Sequence, residues 1–321
     1  MGTFTRRLGQ LAGKSLTTES AAILRDSASN KVPGSLSLAL DATLKQGHDM
    51  RVFGLGTAAT LSNRARYARF TRNMLAVYSR MERHLDLASS SAPSSQHPPV
   101  ALVWNAFSST LRRAPSLHAD LIDVGVVLSS DELSALSGGS SVGDCSGVSP
   151  ATVAYLSALD AAAADDANTG GARLLGHLYC RYFADLFGGQ MLRAPTAYAL
   201  GLPSGTPRHY NFDFRSFDYS QTLSVGNFVG DGGNRDRLSK GALQPPSRKE
   251  FIESLYRQLN EAGKAPYLTT PEEQKAVAAE ALLAFELNVG VYAEEGRLYA
   301  DAVKGTANVA AGFTKAYFFS K

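Results

Sequence analysis

The chain has 321 residues, 44% hydrophobic and 19% charged, enough apolar material for a large core without disulfides or metals. The chain has 32 lysine and arginine residues against 29 aspartate and glutamate residues, and this small surplus of positive charge argues against nucleic acid as a partner. The two cysteines, Cys145 and Cys180, form no metal or disulfide pattern and favour a reducing compartment. No apolar stretch approaches the ~20 residues that span a bilayer, so no membrane span is expected and the chain is predicted to be soluble.

Residues 1–34 are predicted to form an extension before the folded domain. Its first part contains Arg6, Arg7 and Lys14 but no acid before Glu19, a composition typical of an organelle transit peptide. The sequence therefore favours a mitochondrion or plastid. A basic tail without a targeting role has the same composition, and the protein would then be cytoplasmic.

Helical periodicity begins directly after this extension. Ser35 is placed to cap a helix from Leu36, and leucines recur every four residues to Leu44. His48 continues the same stripe one turn further. Thr270, followed by Pro and two Glu, predicts the start of the last long helix, expected to end near residue 303. Other helices are predicted at 63–87, 100–111, 116–127, 151–164, 171–200 and 247–262.

Strand-like alternation is scarce, so the fold class is all-α. One domain is expected over residues 35–304, interrupted by surface loops at 88–99 and 201–246 and followed by a tail at 305–321. The 201–246 segment is rich in Gly, Ser, Asn and aromatic residues. A connection of this length in a compact domain is usually functional or disordered.

The stretch from Gly176 to Gly201 concentrates the residues that carry chemistry. On a regular helix, Tyr179, Tyr182, Asp185 and Gly189 fall on one side. Adjacent glycines at 188 and 189 would let a backbone approach a flat ligand and let the helix bend. Close packing of two helices would use the same glycines, and spacing alone leaves both interpretations open.

This stretch resembles the most characteristic segment of heme oxygenases, H-x-Y-x-R-Y-x-x-D-L-x-G-G-Q, read here from His177 to Gln190. The resemblance implies an all-α, heme oxygenase-like multi-helical bundle in which this is the helix distal to heme. It implies that Asp185 is catalytic and holds the water that delivers a proton during the reaction. The same resemblance assigns four residues of the segment to heme binding: Tyr179, Arg181, Gly188 and Gly189.

Other segments resemble the same family in the right order. LSLALDATLKQGHD is similar to its proximal helix, which makes His48 the implied iron ligand, although a core or capping histidine would fit the spacing too. Arg257, in Ser-Leu-Tyr-Arg, is the implied clamp on a heme propionate, with an exposed surface arginine as the alternative. Phe285 and Asn288 fall in a segment that walls the pocket, and Lys45 is the main further cation.

Four positions depart from the family pattern. Ala184 stands where most members of the family have glycine, although the plant-type branch also has alanine there. Phe187 replaces a small residue directly before the glycine pair. An added ring near a tightly packed ligand costs roughly 1–3 kcal/mol unless it finds space. Asp41 and Glu253 take positions where lysines often help bind propionates, so the dianionic edge of heme is expected to be held less firmly.

The function that follows from the resemblance is oxidative opening of heme to biliverdin, iron and carbon monoxide. Heme would be substrate and prosthetic group at once. No G-x-G-x-x-G opens a βαβ unit, so electrons are expected from a ferredoxin or a flavoprotein reductase. The alternative, suggested by the four departures, is a catalytically inactive heme oxygenase-like protein that acts as a heme-binding or structural subunit of an organelle assembly.

Overall fold

The structure is a computed structural model that describes residues 22–23, 26–47, 50–90, 98–138, 147–203, 205–214, 217, 247–266, 268, 270–295 and 299–319. Across these ranges the regular elements are helices, without a strand, which confirms the all-α class. The α-helices are α1 Leu36–Gly47, α2 Met50–Thr60, α3 Arg64–Ser90, α4 Pro99–Leu111, α5 Ala114–Asp123, α6 Ser130–Ser137, α7 Pro150–Thr169, α8 Arg173–Leu178, α9 Gln190–Leu200, α10 Arg248–Ala262, α11 Pro271–Glu295 and α12 Tyr299–Phe319.

Two long helices, α3 and α11, organise the bundle. Helix α11 packs against α1, α2, α7 and α8, while α3 packs against α4, α5, α6 and α7. Large aromatic side chains fill the space between the layers, among them the fully buried Trp104, Tyr155 and Phe251. The segment between α8 and α9 lies at the centre of this arrangement.

By length and composition alone, the stretch Pro271–Glu294 is apolar enough to cross a membrane, contrary to the prediction that no stretch approaches that length. The helix packs against four neighbouring helices and buries Val277, Ala281 and Phe285, which accounts for part of this apolar composition.

Side-chain caps set several helix starts. The Ser35 hydroxyl accepts from the backbone of Leu38 at 3.4 Å, as its position predicts. Thr270 and Glu273 form a reciprocal capping pair at the start of α11, which confirms the start predicted there. Ser247 and Glu250 cap α10 in the same way.

The C-terminal region differs from the prediction of one helix to about residue 303 and a tail. Helix α11 ends at Glu295, and residues 299–319 form a separate helix packed on α2 and α9. Gly305 and Gly312 permit this contact, because a Cβ there would lie 1.7 Å from the Ala58 carbonyl oxygen and 2.4 Å from that of Tyr198. Helical periodicity does not show which neighbour a helix meets, so the role of these glycines could not be predicted from the sequence.

Candidate active site

The segment that carries the motif is a helix with a change of winding. After α8 it continues as two π-helical turns, Tyr179–Phe183 and Asp185–Gly189, and then as α9. Such turns bond each amide one residue further back than an α-helix does, and they bend the helix axis. The predicted interruption at Gly188 and Gly189 therefore takes the form of π-helical winding.

The change of winding separates Tyr179 from the face that it was expected to share with Tyr182 and Asp185. Tyr179 reaches Asp41 on α1, whereas Tyr182 and Asp185 reach Glu82 and Tyr78, both on α3. The prediction assumed 3.6 residues per turn, and π-helical turns place side chains at a wider spacing.

A buried chain of polar groups ends at Asp185. Arg181 donates from Nη1 to Asn288 Oδ1 at 2.5 Å and from Nη2 to the Tyr78 hydroxyl at 3.1 Å. The Tyr78 hydroxyl in turn donates to Asp185 Oδ2. Burial, with a further contribution from Asp185, raises the pKa of Tyr78 well above its usual value, so Tyr78 stays protonated as a donor. Arg181 and Asn288 thus support Asp185 through Tyr78.

The other carboxylate oxygen, Asp185 Oδ1, accepts no hydrogen bond from the described residues, although the side chain is only 7% exposed. This oxygen faces the glycine pair, since a Cβ on Gly189 would lie 3.2 Å from it. A Cβ on Gly188 would meet nothing within 4 Å. One side of the bend is therefore open and bordered by a carboxylate oxygen that can accept from water or a ligand.

The closed side of the bend is covered by Tyr210, which the sequence analysis did not single out. A Cβ on Gly189 would lie 3.0 Å from the Tyr210 ring. Asp120 holds this loop by accepting from the backbone amides of Arg208 at 2.6 Å and His209 at 3.0 Å. Arg113 donates to the Asn211 carbonyl at 2.6 Å. The run of aromatic residues in this loop was the sequence feature that could have indicated a contact between the loop and the bend.

Arg248, at the start of α10, is a second residue that the sequence analysis missed. Its Nε donates to the Leu186 carbonyl at 2.9 Å and its Nη2 to the Phe187 carbonyl at 3.4 Å. Arg248 is 8% exposed, and its guanidinium ties α10 to the carbonyls of the second π-helical turn. Phe187 finds space half-buried beside Phe183, with ring centroids 5.9 Å apart.

The opposite edge of the segment is formed by Tyr179 and Tyr256, both fully buried. Both hydroxyls donate to the Asp41 carboxylate, that of Tyr256 at 3.1 Å to Oδ1. Glu253, which like Asp41 stands where the family often has lysine, accepts from the amide and hydroxyl of Ser29 at 2.9 and 2.7 Å. Both carboxylates thus hold the N-terminal segment against α10.

The remaining predicted residues fall in three groups. Phe285 is buried in α11 one turn before Asn288. Arg257 is half-buried on α10 and has no hydrogen bond or ion pair within the described ranges. His48 and the side chain of Lys45 lie outside the described residues, so their predicted roles stay predictions.

Three further histidines contact carboxylates. His209, in the loop held by Asp120, is 6% exposed and bonds Asp120 through Nδ1 at 2.6 Å. His84 contacts Asp160 through Nε2 at 2.7 Å. His177 of the motif is fully buried and contacts Glu280 at 3.0 Å.

Comparison with known proteins gives the family. The model of the family described as heme oxygenase matches residues 56–216, half of the chain. Among curated proteins, none matches this chain significantly.

Solved structures share the fold. Heme oxygenase-2 from Synechocystis sp. PCC 6803, in complex with heme and NO, has a TM-score of 0.57 at 20% identity, covering 87% of this chain and 92% of its own. Heme oxygenase 2 from Chlamydomonas reinhardtii, without heme, has a TM-score of 0.54 at 19% identity, and the match covers 80% of this chain and 96% of its own. Heme oxygenase from Leptospira interrogans has a TM-score of 0.51 at 21% identity, covering 81% and 99%.

The fold and the site together define an all-helical protein built around a glycine-containing bent helix with a supported carboxylate at the bend. The chain belongs to the heme oxygenase family.

Proposed function

We propose that this protein binds heme against the open side of the bend at Gly188 and opens the ring to biliverdin, iron and carbon monoxide. The observation that carries the proposal is the buried chain from Asn288 through Arg181 and Tyr78 to Asp185, which ends in a free carboxylate oxygen beside an open glycine. Bound heme would supply the iron at which dioxygen is reduced and the ring that is oxidised.

The bend fits a flat ligand on this side. Gly188 leaves room for a ring to approach the backbone, and Asp185 Oδ1 can order water beside it. Tyr78 fixes the carboxylate, because a hydrogen bond to Oδ2 leaves Oδ1 aimed toward the glycines. The protein would thus bind the ring in the open space beside Gly188 and hold a proton-delivering water at Asp185.

The direct test of catalysis is to add hemin, a reductant and oxygen and to follow biliverdin formation. Asp185→Asn keeps an oxygen that can accept from Tyr78, and we expect it to bind hemin normally while turnover falls about 10²- to 10⁴-fold. Asp131→Asn, an exposed acid on α6, is the matched control. If the wild type and Asp185→Asn produce biliverdin at equal rates, Asp185 is not catalytic.

The binding face has its own test. Gly188→Ala meets no neighbour within 4 Å, so the free energy of unfolding of the ligand-free protein should not fall. Hemin affinity, read from the Soret band, should fall, because a methyl group would occupy the space proposed for the ring. Unchanged affinity would place the ligand elsewhere.

Two further roles are proposed from the family resemblance alone. His48 would bind the iron, so His48→Ala should lose the six-coordinate ferric spectrum and recover it with imidazole. Arg257, half-buried and free of partners in the described structure, would bind a propionate. Arg257→Ala should weaken hemin binding or mix the product isomers, and wild-type behaviour of that variant would leave Arg257 a surface residue.

The second candidate function is a non-catalytic member of the family that serves as a heme-binding or structural subunit of an organelle assembly. The observation that favours it is the pair of carboxylates, Asp41 and Glu253, at the edge where the family often has lysines. Wild-type protein that binds hemin without forming biliverdin, with either ferredoxin or a flavoprotein reductase as the electron donor, would support this candidate.

We propose import into a mitochondrion or plastid from the basic, acid-poor composition before Glu19. A fluorescent reporter fused to residues 1–30 should enter the organelle. Replacing Arg6, Arg7 and Lys14 by glutamine should leave the reporter in the cytosol, and cytosolic location of the unaltered fusion would contradict the proposal.

A further inference from the structure

The loop that carries Tyr210 is held by a buried carboxylate on α5. Asp120 is 2% exposed and accepts from the backbone amides of Arg208 at 2.6 Å and His209 at 3.0 Å. It also bonds His209 Nδ1 at 2.6 Å. A carboxylate is a strong acceptor, and its removal would leave these amides without their partner. Asp120 therefore fixes the backbone directly before Tyr210.

A guanidinium binds the same loop through its carbonyl groups. Arg113, 4% exposed and directly before α5, donates through Nη1 to the His209 carbonyl at 3.2 Å and to the Asn211 carbonyl at 2.6 Å. The guanidinium also lies 4.0 Å from the centre of the Phe212 ring. Tyr210 thus lies between two residues, His209 and Asn211, that are both bound to the start or the body of α5.

The loop brings the Tyr210 ring to the same point as the free oxygen of Asp185. A Cβ on Gly189 would lie 3.0 Å from Cδ1 and 3.2 Å from Cε1 of Tyr210, and 3.2 Å from Asp185 Oδ1. These ring atoms are carbons, so the ring edge gives the oxygen no hydrogen-bond donor. The edge also fills the closed side of the bend, and the space left for water at Oδ1 is on the side of Gly188.

Tyr210 is a neutral neighbour of this carboxylate. Burial raises the pKa of Tyr210 well above its usual value, with further contributions from Tyr292, Tyr67 and Asp185. The phenol therefore stays protonated, and its ring lies beside Asp185 without repulsion between like charges.

We propose that Asp120 is a positioning residue for the reaction and that it acts on Asp185 through Tyr210. By binding residues 208 and 209, Asp120 holds the Tyr210 ring against Gly189, and the ring keeps Asp185 Oδ1 directed to the open side of the bend. This inference rests on the proposed function, in which Asp185 holds the proton-delivering water. It adds a residue of α5 to the site, although the contacts of Asp120 itself are with the loop.

The first test uses the ligand-free protein and asks whether Asp120 holds the ring in place. Gly189→Ala forces the ring to shift, so in the otherwise unaltered protein the equilibrium constant for unfolding should rise about fivefold. In the Asp120→Ala background the ring can move away, and the same substitution should raise that constant less than about twofold. Urea unfolding measures both ratios. Equal ratios in the two backgrounds would show that Asp120 does not hold the ring against Gly189.

The second test measures biliverdin formation from hemin with a reductant and oxygen, and hemin affinity at the Soret band. Turnover by Asp120→Ala should fall about ten- to hundredfold, because rate depends steeply on the placement of a catalytic group. Hemin affinity should change less than about threefold. Tyr210→Ala should lose turnover to a similar extent, and Tyr210→Phe, which restores the ring, should recover most of it.

Non-additivity separates this role from a general loss of stability. Because Asp120 acts through the ring, the double variant Asp120→Ala, Tyr210→Ala should be no slower than Tyr210→Ala alone. Asp123→Asn is the matched control on the same helix, since it removes only an ion pair at 3.0 Å with the exposed side chain of Arg208. It should retain turnover. A double variant whose loss is the product of the two single losses, or an Asp123→Asn variant as slow as Asp120→Ala, would overturn the role of Asp120.

The outcomes separate this inference from the proposed function. Turnover by the wild type and equal turnover by Asp120→Ala would overturn the role of Asp120 and leave the proposed function standing. A wild type without turnover would contradict both, while the unfolding ratios would still show whether Asp120 holds the ring. If Asp120→Ala does not fold, Asp120→Asn keeps an oxygen that can accept from the backbone amides but lacks the charge of the carboxylate. Its turnover must then fall for the inference to survive.

Discussion

Glu82 links three helical segments through one buried carboxyl group. Its Oε1 accepts from the backbone amides of Arg113 at 2.6 Å and Ala114 at 3.2 Å, and from the Tyr182 hydroxyl at 3.2 Å. Burial raises the pKa of Glu82 to about 7, against the lowering effect of these hydrogen bonds. The carboxyl group therefore takes up a proton within the physiological range.

This raised pKa predicts a pH dependence of stability. Between an unfolded value of about 4.5 and the folded value of about 7, the folded state binds more protons, so the free energy of unfolding falls as pH rises. The fall is on the order of 3 kcal/mol. Glu82→Gln cannot ionise, so the difference in stability between the two proteins should move in favour of the variant from pH 5 to pH 8.

Urea unfolding at several pH values measures this difference. Other groups with raised pKa values, such as Asp166, are common to both proteins and cancel. Glu286→Gln, exposed on α11, should differ from the wild type by a constant amount. A pH-independent difference for Glu82→Gln would show that Glu82 does not titrate in this range.

The two adjacent glycines should respond differently to one added methyl group. At Gly189 the Cβ would lie 3.0 Å from the Tyr210 ring, so the ring must shift, and we expect a loss of about 1 kcal/mol in the free energy of unfolding. Tyr210→Ala should remove most of that loss in a double-mutant cycle. Gly188→Ala, with open space, is the control and should cost nothing. Equal losses at the two positions would contradict the placement of Tyr210.

At the scale of the element, the bend depends on a contact from outside the helix. Arg248 donates to carbonyls of the second π-helical turn and belongs to α10, far along the chain. Hydrogen bonds from a charged donor contribute about 1.5–3 kcal/mol, so Arg248→Met should lower the free energy of unfolding by that order. Amide exchange in residues 183–190 should also become faster, because the turn loses its external support.

Arg257→Met is the matched control for this experiment, because Arg257 lies on the same helix without a partner among the described residues. It should leave amide exchange at the bend unchanged. If Arg248→Met also leaves exchange unchanged, the guanidinium does not hold the bend, whatever its effect on global stability.

At the scale of the whole molecule, α12 closes the bundle by contact between backbones. A Cβ on Gly305 would lie 1.7 Å from the Ala58 carbonyl oxygen, so Gly305→Ala must push α12 away from α2. We expect a loss of about 1–3 kcal/mol in the free energy of unfolding and earlier proteolysis near the C-terminus. Gly290→Ala, with its nearest neighbour at 3.6 Å, should be neutral or slightly stabilising. Equal stability and proteolysis in the two variants would show that α12 does not depend on this contact.

The sequence determined what depends on local pattern. Leucine spacing and caps such as Ser35 and Thr270 predicted the helix starts, and the absence of alternation predicted the all-α class. The motif from His177 to Gln190 was sufficient to identify the family, because it is a long run of specific residues. These features lie within one segment, where a residue's neighbours are fixed by the chain itself.

Only the tertiary structure decided which groups meet across segments. It brought Asp41 to Tyr179 and Tyr256, Arg248 to the Leu186 carbonyl, and Tyr210 to Gly189. It also replaced the expected helical face by π-helical winding and turned a predicted tail into α12. The physical reason is the same in each case. The partner of a buried donor, carbonyl or glycine is the group that tertiary packing places next to it, and the periodicity of one segment contains no information about that partner.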